Sequence, residues 1–93
     1  MKRTVSLEDG DVLMTKRMEG TDGTAFPKHT ASLESALVVL EGVCTISFPD
    51  AEYELRAGDT FIVPADVVHQ VVGNPDFKAI HIMPKDIRFD FRV

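Results

Sequence analysis

His29, His69 and His81 are the residues of this chain best equipped for chemistry. An imidazole titrates near pH 6.5, so it can move protons at neutral pH, and its bare nitrogen is a good ligand for Zn, Ni, Mn or Fe. The single cysteine, Cys44, shares one strand face with Ile46 and Phe48, which reads as a small core residue rather than a nucleophile. No basic cluster is present to grip a phosphate, no glycine-rich phosphate loop, and no carboxylate pair spaced for glycosyl transfer.

The elements that must position these histidines read as strands. Apolar spacing at i, i+3, i+4, i+7 is nowhere sustained, whereas short β-branched and aromatic runs recur between turn residues. Strands are predicted over residues 11–19, 33–40, 43–48, 52–56, 60–63, 67–72, 77–83 and 87–93. One strand per eight to twelve residues suggests an all-β sandwich or barrel in a single domain, 1–93. Alternation over 77–83 groups His81 with Phe77, Ala79 and Met83, opposite Lys78, Ile80 and Ile82. If Lys78 faces water, His81 faces the interior. The final segment places Ile87, Phe89, Phe91 and Val93 on one side, an apolar face that must be covered by the core or by a second subunit.

Composition narrows the partners. Hydrophobic residues make up 44% and charged residues 27%, an ordinary globular mix. A net charge of −5 argues against nucleic acid and anionic membrane, both of which need clustered Lys and Arg. One cysteine allows no intrachain disulfide, the N-terminus carries no signal-like apolar run, and no stretch reaches the ~18 apolar residues of a membrane span, so a cytoplasmic setting is expected. A domain this small buries only about 60% of its unfolded surface, which makes a homodimer the expected assembly.

Two stretches resemble the paired motifs of the cupin superfamily. The first motif runs glycine, five residues, His-x-His, three or four residues, Glu, six residues, glycine. Gly23 is followed by Thr24-Ala25-Phe26-Pro27-Lys28 and His29, and the pattern continues through Ala31 and Ser35 to Gly42. The second runs glycine, five residues, Pro-x-Gly, two residues, His, three residues, Asn. Gly58 leads to Pro64, Asp66, His69 and Gly73, with Asn74 one place later. Fifteen residues separate Gly42 from Gly58, the short spacing of compact cupins.

The resemblance covers about Gly23 to Met83 and implies a double-stranded β-helix, the jelly-roll barrel, around a pocket. In the family the two first-motif histidines, the glutamate and the second-motif histidine bind a divalent metal. Here His29 and His69 keep their places, Ala31 stands for the second histidine and Ser35 for the glutamate. His81 is the candidate replacement, giving an expected metal set of His29, His69 and His81. Glu34 lies one residue from the expected glutamate and would need a bulge to turn inward. The expected pocket wall is His29, Ala31, Ser35, Leu37, Phe61, His69, Val71 and His81, with Val39 and Val63 beside them. Such a wall suits a small organic ligand. The first functional expectation is therefore a small-molecule binding cupin with a degenerate or absent metal site. The alternatives are a metal-dependent dioxygenase or isomerase using His29, His69 and His81, and a regulatory or protein-interaction module.

Overall fold

The computed structural model describes residues 1–93. It is all-β, with eight strands: β1 Lys2–Asp9, β2 Leu13–Gly20, β3 Thr30–Ala31, β4 Ser35–Phe48, β5 Ala51–Arg56, β6 Thr60–Val63, β7 Gln70–Pro84 and β8 Phe89–Asp90. Six of them form one antiparallel sheet in the order β1-β2-β7-β4-β5, with β6 also on β4, while β3 and β8 pair separately. The architecture is the jelly-roll barrel.

Long β4 and β7 hold the barrel together. The first half of β4 pairs with β6, its second half with β5, and β7 lies along both halves. Sequence reading splits each of these strands in two, because Glu41-Gly42 and Gly73-Asn74-Pro75-Asp76 look like turns. Both are bulges instead. The β4–β7 register shifts between Val39 and Glu41 and again between Gly42 and Cys44, leaving residues 74–76 opposite Val43 alone. A bulge bends a strand without ending it. Gly42 is required there: its φ is +72°, and a Cβ would run into the Asp76 carbonyl.

Three further differences have simple causes. Strand β1, an open edge, is not visible in the sequence because Lys2–Asp9 is exposed at every position but Val5 and carries no apolar stripe. The strand expected at 67–72 starts at Gln70, because His69 is committed to a loop bridge with His29. The strand expected over 87–93 shrinks to Phe89–Asp90. Ile87 is buried against Ala31 and Met83, but Phe91 and Val93 are 57% and 62% exposed, so the alternating apolar face is covered only over its first half.

The main core comprises Leu37, Val39, Cys44, Ile46, Val71, Phe77, Ala79 and neighbours, contributed by the inward positions of β4 and β7. The Cys44 thiol is fully buried, and burial pushes its pKa up to about 11. It forms no disulfide. No helix is long and apolar enough to cross a membrane.

Candidate functional site

The barrel holds a cavity of about 220 Å³, open at one side and walled by apolar residues of β2, β4 and β7 and by all three histidines. A dry cavity of ~150 Å³ suffices for benzene, so the space accommodates a substituted single ring or a short branched chain.

His29 and His69 enter from loops that pair with each other. The His29 N–H donates to the His69 carbonyl at 3.1 Å and the His69 N–H to the His29 carbonyl at 3.0 Å. Their ring centroids lie 4.6 Å apart at 66°. The loops are pinned nearby. The Asp66 N–H donates to the Ala31 carbonyl, the Phe26 N–H to the Val71 carbonyl, and Gln70 Nε2 to the Phe26 carbonyl. Asp66, which stands at the second motif's glycine, adopts φ +63°, a left-handed conformation that Asp tolerates better than most residues.

Backbone carbonyls fix the tautomers. His29 Nδ1 lies 2.9 Å from the Pro27 carbonyl oxygen and His69 Nδ1 3.0 Å from that of Val67. A carbonyl only accepts, so each Nδ1 carries a proton, and the tautomer available to the neutral ring is the one with Nε2 as acceptor. Burial lowers the His69 pKa, with a smaller contribution from neighbouring His29, while the Val67 hydrogen bond opposes the shift. Phe89 and Phe91 pack on the His29 ring at centroid distances of 5.2 and 5.1 Å.

His81 sits across the ladder from Leu37 on one side and Lys16 on the other. Its Nε2 is 2.7 Å from Ser35 Oγ. Burial, and then the proximity of His29, His69 and Lys16, push its pKa down to about 4, so the ring is neutral at pH 7.

Of the expected wall, His29, Leu37, His69, Val71 and His81 line the cavity, with Val63. Ala31, Ser35 and Phe61 do not. Ala31 is packed away against Met83 and Ile87. Ser35 is buried behind His81 as its hydrogen-bond partner. Phe61 faces inward at the far end of the Lys16–His81–Leu37 row but is drawn into an aromatic cluster with Phe48 and Tyr53. Val39 belongs to the core, and Glu34 is solvent-exposed. Lys16, Met18, Phe26 and Phe89 are wall residues that sequence reading overlooked. Their signal was available for β2: Met14, Lys16 and Met18 alternate with Thr15, Arg17 and Glu19.

The donor set does not fit the divalent metal that the motifs imply. Three or more protein ligands are the usual minimum, and no group of three His, Cys, Asp or Glu side chains is gathered to hold an ion. Ala31 supplies no donor, Ser35 replaces a carboxylate, and the same Ser35 engages the His81 nitrogen. Only His29 and His69 keep an Nε2 free of protein partners.

The cupin domain model matches residues 16–83, so the chain belongs to the cupin family. No functionally curated protein matches it. Solved structures share the fold at low identity. A cupin superfamily protein from Desulfitobacterium hafniense is 23% identical over 92% of this chain and 79% of its own, with a TM-score of 0.84. The polyketide cyclase RemF from Streptomyces resistomycificus is 19% identical over 99% of this chain and 71% of its own, at 0.88. Salicylate 1,2-dioxygenase from Pseudoaminobacter salicylatoxidans, a G106A mutant in complex with gentisate, is 16% identical over 98% of this chain but only 29% of its own, at 0.85.

Proposed function

We propose that this cupin is a small-molecule binding protein whose barrel cavity takes a compact, mainly apolar organic ligand and does so without a metal. The supporting observation is the His29–His69 pair. Two imidazoles, with Nδ1 tied to backbone carbonyls, turn their Nε2 edges to an apolar cavity. A few fixed polar groups in an apolar wall are the usual composition of a ligand site. That the dioxygenase neighbour was solved in complex with gentisate supports reading this fold as one that takes small molecules. A metal-dependent dioxygenase or isomerase would need a third strong donor, which Ser35 and Ala31 do not provide. A cytoplasmic homodimer completes the reading; the open β1 edge and the exposed Ile62 and Val12 support the pairing. Sedimentation velocity at micromolar concentration should give twice the chain mass.

The test is binding after chelation. Protein dialysed against EDTA should bind single-ring compounds such as benzamide, measured by calorimetry or ligand-observed NMR, as well as untreated protein does. Binding that vanishes on chelation and returns with one metal ion per chain would overturn the proposal.

A further inference from the structure

Resting on the reading of the cavity as a ligand site, we infer that Lys16 makes it selective for small organic anions, with the ligand's carboxylate or equivalent group against the Lys16 ammonium and its apolar body within the barrel. Lys16 is an inward residue of β2. Its two inward neighbours, Met14 and Met18, both pack on core clusters, and its ladder partner is His81. It lines the cavity and is half-buried. The other lysines and arginines of the chain lie outside the cavity wall, and four of the five ion pairs they form are at exposed side chains.

Two features make this arrangement informative. First, Lys16 has no carboxylate partner; it takes part in none of the ion pairs. Second, no Asp or Glu lines the cavity, although the chain carries 15 acidic residues against 10 basic ones. A lysine turned toward an apolar interior loses hydration and is normally paired or snorkels to water. Here the wall carries a lysine and no carboxylate. The complementary ligand charge is therefore negative. Because the rest of the wall is apolar, the anion must carry a hydrophobic body, which distinguishes it from phosphate or sulfate. Selectivity of this kind is set by mismatch as well as match: an organic cation would face Lys16 with nothing to offset the repulsion.

Benzoate, benzamide and benzamidinium test this directly, because they are nearly isosteric and carry charges of −1, 0 and +1. Wild-type protein should bind benzoate about 10-fold more tightly than benzamide, equivalent to ~1.4 kcal/mol, and benzamidinium most weakly. Lys16→Met should bring the benzoate-to-benzamide affinity ratio down to about one, while Lys16→Arg should retain the benzoate advantage. Methionine matches the neighbouring inward residues, and the wild-type series stands even if that variant folds poorly. Wild-type protein binding benzamide as tightly as benzoate, or a benzoate preference over benzamide that survives Lys16→Met, would overturn the assignment and leave the cavity reading intact. Failure of all three compounds to bind would overturn both.

Discussion

Acid should weaken this fold through His81 before it titrates the carboxylates. The His81 ring is neutral in the folded protein because burial, and then His29, His69 and Lys16, push its pKa down to about 4. In the unfolded chain the same group has a pKa near 6.5. Between those values the unfolded state binds a proton that the folded state refuses. Stability is thus fully present above pH ~6.5 and is lost progressively as pH falls toward 4. At 1.36 kcal/mol per unit, the full effect is about 3 kcal/mol, of which about 2 kcal/mol should appear between pH 7.5 and pH 4.5. That is a large share of the 5–15 kcal/mol typical of a small domain. His69, lowered in the same direction, adds to the slope. The carboxylates held low by arginines, Glu19 beside Arg17 and Asp90 beside Arg92, lose their contributions only below pH ~4.5. The assay is urea denaturation at half-unit pH steps for wild type and His81→Leu. The variant changes the offset at every pH through the Ser35 contact, so the slope is the readout. Its curve should be flatter by about 2 kcal/mol over the window. Parallel curves would show that His81 is not the buried neutral group described above.

Other substitutions test the remaining packing arguments. Ser35→Ala should cost about 1 kcal/mol by leaving the buried His81 nitrogen without its partner, and the double variant Ser35→Ala/His81→Leu should cost less than the sum, read by a denaturation cycle. Gly42→Ala should destabilise by more than ~1 kcal/mol, because the position combines a left-handed φ with contact against the Asp76 carbonyl. Cys44 should resist a thiol reagent such as DTNB under native conditions and react fully in denaturant, since the group is buried and its pKa is raised to about 11.

The residues show where sequence reading reaches and where it stops. Alternation over 77–83 identifies the inward face of β7, because that strand is buried on one side and its period is two. The residue spacings from Gly23 to Gly42 and from Gly58 to His69 resemble those of the cupin motifs, and it is that resemblance that points to the barrel. Alternation in β2 was equally legible, and it is the signal that turns Lys16 inward. The Ser35–His81 hydrogen bond was not legible: it joins residues 46 apart, and no local pattern encodes which inward side chains meet diagonally across a ladder. Neither was β1, an exposed edge whose inward residues, Thr4 and Ser6, are small and polar. Bulges defeated the boundaries of β4 and β7, because glycine, proline and aspartate mean a turn in isolation and a bend within a paired strand.

The central claim is a metal-independent ligand site between His29, His69 and His81. Native mass spectrometry of untagged protein, combined with elemental analysis of the same sample, tests it most directly. Metal should be well below one equivalent per chain, and the protein should take up one benzoate per chain when it is added. One tightly held transition-metal ion per chain, lost only on unfolding, would contradict it.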